Sequence, residues 1–145
     1  MEEMVVFEAR SNDAERVVEM MAVLAAQEGA QSALTPVYVE KYLLTEGSRV
    51  LMARAGRKSL GMLSFSIRPD LFHGAQACLI EALVVCEEAR GQGVGSALLK
   101  ECLAIARKAG CAEASVSTME DNLKAIEFYK KHGFEGGALF MEIHF

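Results

Sequence analysis

At 145 residues the chain has the length of one ordinary domain, and 52% apolar residues with only two prolines give it the means to pack a core rather than the composition of a disordered linker. Fifteen basic residues against twenty acidic ones, with no cationic cluster beyond pairs, argue against a nucleic-acid partner. No apolar run approaches the roughly 18 residues of a membrane span, and "MEEMVVFEAR" lacks the basic and greasy regions of a signal peptide, so the expectation is a cytoplasmic protein without a membrane partner.

Val5 to Arg10 alternates as a strand, and Asn12 followed by Glu15 resembles a capping box opening an apolar-periodic helix that runs to about Glu28. Pro36 to Leu44 predicts a second, short helix with proline in its first turn. The runs "RVLMARA" and "LGMLSFSIR" flank "GRKS" as a hairpin. After the loop "PDLFHGAQ", the nearly continuous apolar run Ala77 to Cys86 suits a strand in the middle of a sheet, covered on both faces.

Ser96 to Ala109 repeats apolar residues at helical spacing and is ended by Gly110. "EASVST" reads as a strand, and Asn122 to His132 as a helix closed by Gly133, with Phe134 placed for the accompanying apolar contact. "ALFMEIHF" reads as a final strand. The expected order is β-α-α-β-β-β-α-β-α-β, an α/β mixed sheet with helices on its faces, in one domain spanning 1–145. Cys78, Cys86, Cys102 and Cys111 contain no CxxC pair and read as free thiols rather than metal ligands or disulfides.

Two features point to chemistry. Glu81 stands alone in the apolar run, where simple alternation would put it on one face with Leu79, Leu83 and Val85. An unpaired ion buried there costs several kcal/mol, so its site is wet or its pKa is raised toward that of a general base; a salt bridge, or escape to solvent at a strand irregularity, is the other reading. Downstream, "RGQGVGS" joins the strand to the next helix, so unpaired amides at a helix start can converge on an anion that the missing side chains let approach.

This turn is neither of two familiar phosphate motifs. It ends Gly95-Ser96-Ala97, without the lysine of a Walker loop, and Ser96 and Leu98 stand where a dinucleotide fingerprint needs its last glycine. At ~3.3 Å per residue Glu81 lies ~13 Å from Val85, with the turn beyond it. An inorganic phosphate cannot reach both ends; an elongated phosphate ester can.

Arg90-Gly91-Gln92-Gly93-Val94-Gly95 and "NLKAIEFYKKHGFE", Asn122 to Glu135, together resemble the GCN5-related N-acetyltransferases, most strongly over Leu79 to Glu135 and, by element order, over nearly the whole chain. The resemblance implies acetyl-CoA as cosubstrate, with no metal. Its pyrophosphate would rest on the amides of Gly91, Gln92, Gly93, Val94, Gly95 and Ser96 beside Arg90, its pantetheine arm along Leu83, Val84 and Val85, with Asn122 touching that arm. Tyr129 would protonate the leaving thiolate and Glu81 would act as base, directly or through water. Tyr129 as an ordinary aromatic in a core stripe, and Asn122 as a plain helix cap, are the alternatives.

The expected activity is direct acetyl transfer to an amine of a small molecule or peptide, bound between the Glu28 to Tyr42 region and the Pro69 to Gln76 loop. The acidic balance and Asp70 hint at a cationic acceptor. A non-catalytic acyl-CoA sensor, or a transferase for longer acyl groups, are the rivals. His73 reads as a surface residue or one facing acceptor, His132 as a partner for carbonyls at its helix end, and Cys86 as a small buried side chain. Family members often dimerise, and the apolar ending could serve a homodimer as readily as an ordinary strand.

Overall fold

The computed structural model describes residues 2–145. Five strands, β1 (Met4–Glu8), β2 (Ser48–Ala55), β3 (Lys58–Asp70), β4 (Ala75–Val85) and β5 (Cys111–Val116), form one sheet in the order β1-β2-β3-β4-β5. The first three pairings are antiparallel and β4 pairs β5 in parallel. Helices α1 (Ala14–Gln27) and α2 (Pro36–Leu44) precede β2; α3 (Val94–Lys108) crosses from β4 to β5, and α4 (Leu123–Lys131) follows.

Strand alternation sorts the core into two layers. Leu51, Leu63, Phe65, Cys78 and Ile80 project toward α3 and meet Leu98, Leu99, Cys102 and Ala106, all at most 3% exposed. Val50, Met52, Met62 and Val84 project the other way, onto Val17 and Met20 of α1 and Val39 of α2. Each large apolar side chain fully removed from water contributes about 1.5–3 kcal/mol. The seat of α3 depends on Gly61 in β3: a Cβ there would lie 2.8 Å from the Val84 carbonyl oxygen and 2.9 Å from Val94 Cγ1.

Local signals decide most boundaries. The Thr35 hydroxyl accepts from the Tyr38 amide at 3.2 Å ahead of Pro36, so α2 starts where the proline predicts. The end of α4 is the expected one: Gly133 has φ +96°, its amide donates to Lys130, and the Phe134 amide donates to Tyr129 while their rings touch. The start of α1 differs from the capping box expected at Asn12. A 3₁₀ turn occupies Ser11–Asp13, and the Asp13 carboxylate reaches back to the Arg10 amide at 2.9 Å.

Two further expectations are corrected. Residues 138–145 form no strand: Leu139, Phe140, Met141, Ile143 and Phe145 are all at least 64% exposed, and no strand lies beyond β5 among the described residues. Alternation alone cannot make a strand, because its backbone groups need a neighbouring ladder. The observed order is therefore β-α-α-β-β-β-α-β-α.

The second correction concerns β4. Ser64 pairs with Ala82 but Phe65 pairs with Ile80, so Glu81 is the extra residue of a bulge. The bulge breaks the alternation assumed above: Leu83 and Val85 pack toward α3, whereas Glu81 stays with Leu79 on the α1/α2 side. Glu81 is consequently exposed, neither covered on both faces nor buried.

Candidate active site

The site begins where β4 loses one neighbour. β5 pairs β4 only from Gln76 to Ile80, although β4 continues to Val85. Over Glu81–Val85, about 16 Å at the usual rise, the edge facing β5 is open. One of its carbonyls has a partner: Gln27 Nε2, at the end of α1, donates to Val85 O at 3.3 Å.

Past Val85 a 3₁₀ turn at Glu87–Ala89 leads to Arg90 and the glycines. Gly91 and Gly93 hold φ +78° and +83°, values that side-chain-bearing residues rarely adopt, and the space over both is open to 4 Å. The amide of Ala97 is bonded to the Gly93 carbonyl at 3.0 Å, which leaves the amides of Val94, Gly95 and Ser96 ahead of it without helical partners. They sit at the positive end of the α3 dipole.

Val85, Arg90, Gly91, Gly93, Gly95, Ser96, Phe128 and Lys131 line a depression of about 480 Å³ here. Phe128 forms its wall, its ring 3.4 Å from where a Cβ on Gly95 would stand. Arg90 and Lys131 add positive charge at its rim. The sequence placed Phe128 with Tyr129 in a core aromatic stripe and did not single out Lys131, so neither was expected in the site. Gln92 turns its side chain away, donating from Nε2 to Glu88 O at 3.2 Å, so that residue offers the cradle only its backbone.

The remaining sequence candidates divide. Asn122 caps α4, its Oδ1 accepting from the Ala125 amide at 3.2 Å, which realises the plainer of its two readings and leaves its amide nitrogen free. Tyr129 is half-buried on the α3 side, its ring edge-on to those of Phe128 and Phe134 at 5.2 and 5.5 Å. Burial pushes its phenol pKa up, so it keeps its proton through neutral pH. Phe128 and Lys131, not Tyr129, face the depression. Glu81 and Tyr129 thus stand on opposite faces of the sheet.

Glu81 has a partner that no sequence pattern revealed. The Tyr42 hydroxyl donates to Glu81 Oε1 at 2.8 Å and lies 3.3 Å from the Phe65 carbonyl oxygen. On the same open face, pairing puts Asp70 opposite Ala75 and Glu113 opposite Ala77, two and one alternations behind Leu79. His73 bonds Asp70 at the β3–β4 turn; this hydrogen bond holds the carboxyl below, and the imidazole above, their usual values. His132 Nδ1 is 2.8 Å from the Phe128 carbonyl oxygen, at its helix end as expected.

Residues 8–134 match the model of the Acetyltransferase (GNAT) family, so the chain belongs to that family. It is 36% identical over 76 residues to a glucosamine 6-phosphate N-acetyltransferase of Trypanosoma brucei brucei, covering 52% of this chain and 50% of that protein. It is 35% identical over 54 residues to a thialysine N-epsilon-acetyltransferase of Sus scrofa, covering 37% of this chain and 32% of that protein. The chain therefore matches about half the length of the first relative and a third of the second.

Among solved structures, a transcriptional regulator from Bacillus halodurans C-125 superimposes with a TM-score of 0.86 at 27% identity, covering 99% of this chain and 100% of that one. An aminoglycoside acetyltransferase from an uncultured soil metagenomic sample gives 0.86 at 17% identity, covering 98% and 95%, a likeness of fold alone. Among the described residues no helix is long and apolar enough to cross a membrane.

Proposed function

We propose that this chain is a single-domain, acetyl-CoA-dependent N-acetyltransferase that moves the acetyl group directly to an acceptor amine. The observation that supports this best is the succession of an open β4 edge, two left-handed glycines and three unpartnered amides at the start of α3. That succession suits a ligand with a diphosphate at one end and an amide-bearing arm at the other. The amides from Gly91 to Ser96, with Arg90, would hold the diphosphate. The arm would lie along Leu83, Val84 and Val85, within reach of the free amide nitrogen of Asn122.

An acceptor ammonium with a pKa of about 10.4 must lose its proton first, which costs roughly 4.6 kcal/mol at pH 7. Glu81 takes that proton, directly or through water. The amine nitrogen then attacks the thioester carbonyl, the C–N bond forms, the nitrogen releases its remaining extra proton to water, and the C–S bond breaks as the tetrahedral intermediate collapses. Tyr129, kept protonated by burial, would approach the sulfur from the α3 side of the open β4 edge while Glu81 serves the amine from the other side; it gives its proton to the departing sulfur and regains one from water. Asp70, Glu81 and Glu113 on one exposed face favour a cationic acceptor, admitted between residues 28–42 and the β3–β4 turn.

The test is release of free thiol from acetyl-CoA across a panel of polyamines, aminoglycosides, amino sugars and peptide amines. Turnover on at least one amine, with Glu81→Gln and Tyr129→Phe each lowering kcat, is the expected result. The likeness to a structure described as a transcriptional regulator supports a second reading, an acyl-CoA sensor. CoA binding without turnover on any amine, unaffected by either substitution, would establish that reading instead. Competition by propionyl-CoA and succinyl-CoA in the same assay separates acetyl from longer-chain transfer.

A further inference from the structure

We infer that Tyr42 is a positioning residue for the general base: its hydroxyl fixes one oxygen of Glu81 so that the other faces the acceptor amine. This rests on the proposed role of Glu81. The two residues come from elements 39 positions apart, and their 2.8 Å contact is formed at a bulge. Glu81 is the unpaired extra residue of that bulge, Phe65 pairs with its neighbour Ile80, and the Tyr42 oxygen is within hydrogen-bonding distance of both Glu81 and Phe65.

The phenol has one proton and two acceptors beside it. The carboxylate oxygen is nearer and charged, so it takes the proton, while the Phe65 carbonyl marks where the phenol must stand. An exposed glutamate otherwise samples many rotamers, and each non-productive one reduces the fraction of enzyme poised to accept a proton. With Oε1 occupied, Oε2 is the remaining basic oxygen. Tyr42 is suited to the task because burial and the adjacent Glu81 both push its pKa up, keeping it a donor throughout neutral pH.

Its backbone is well anchored. Val39, three residues earlier in α2, is 2% exposed in the core shared with α1 and the sheet. The helix proposed to border the acceptor therefore also aims the base. A shift of α2 on acceptor binding would reach Glu81 through one hydrogen bond.

Tyr42→Phe removes the hydroxyl and keeps the ring, so the fold is retained and thermal denaturation of the variant checks it. With saturating acetyl-CoA and an amine that the panel identifies, kcat should fall roughly tenfold, the loss expected for one hydrogen bond to a charged group. The KM for acetyl-CoA should not change. In a Glu81→Gln background the same substitution should cause no further fall in kcat, because there is no carboxylate left to aim. A tenfold loss that persists in that background, or a change confined to KM, would overturn the inference. If Glu81→Gln lowers kcat and Tyr42→Phe does not, the base stands and its positioning by Tyr42 fails. If Glu81→Gln leaves kcat intact, the reading of Glu81 fails and Tyr42 falls with it.

Discussion

Beyond the end of β4 the chain presents main-chain amides, at Val94 to Ser96, and within the strand, at Glu81, it presents a side chain; the two are secured in different ways. The amides of Val94, Gly95 and Ser96 follow from a helix start and two left-handed glycines within a few residues of each other. Glu81 owes its exposure to a slip in pairing with β3 and its orientation to a tyrosine on α2. A backbone cradle is local and tolerates changes elsewhere. A side chain aimed by distant contacts can be retuned by a change in any one of them. The contrast fits an enzyme that keeps a common acyl donor and varies its acceptor.

Substitutions at the two places should therefore have separable effects. The largest belongs to Glu81→Gln, which should lower kcat by about 10²–10⁴, the range of general acid–base catalysis, with CoA affinity unchanged; steady-state kinetics beside a binding titration check both halves. Gly93→Val should do the reverse. It forces a β-branched residue to φ +83° and places its side chain in the cradle, costing about 1–2 kcal/mol of backbone strain and weakening CoA by at least roughly tenfold. Its kcat at saturating cosubstrate should stay within a few-fold of wild type.

Gly61→Ala tests how the two regions share a foundation. Its Cβ would crowd the Val84 carbonyl and Val94, which seats α3 on the sheet, so denaturant unfolding should show a loss of about 1–3 kcal/mol. The smallest effect is expected away from both regions. Arg49 holds Glu8 through Nε and Nη2 at 2.6 and 2.7 Å, and this hydrogen bond, opposed by partial desolvation and aided by charge, keeps the Glu8 carboxyl below its usual pKa.

A carboxyl with a lowered folded pKa contributes stability above its unfolded value and loses it as pH falls through the folded one. Both side chains are over a third exposed, so Glu8→Gln should cost less than about 1 kcal/mol at neutral pH. The difference in Tm from wild type should shrink as pH drops below about 4.

The same contrast governs what could be read from the sequence. The turn from Arg90 to Ser96, the proline start of α2, the Asn122 cap and the Gly133–Phe134 ending were legible because each depends on residues within one turn of chain. Escape of Glu81 to solvent at a strand irregularity was one of two open readings, but nothing local could choose it, since alternation continues on paper through a residue that pairing with β3 excludes. Tyr42 entered the sequence reading only as the far bound of the region expected to border the acceptor; its contact with Glu81 depends on how α2 lies against the sheet. The expected strand at 138–145 failed for a related reason. Its pattern was right for a strand, but a pattern does not supply the neighbour to which a strand must bond.

The most direct test of the account is a titration of the ¹⁵N-labelled full chain with CoA, followed by amide NMR. The account predicts saturable shifts concentrated on Gly91 to Ser96 and on Glu81 to Val85, with Gly93→Val weakening the response. Unmoved amides across both stretches at millimolar CoA, or saturable shifts confined to other parts of the chain, would contradict it.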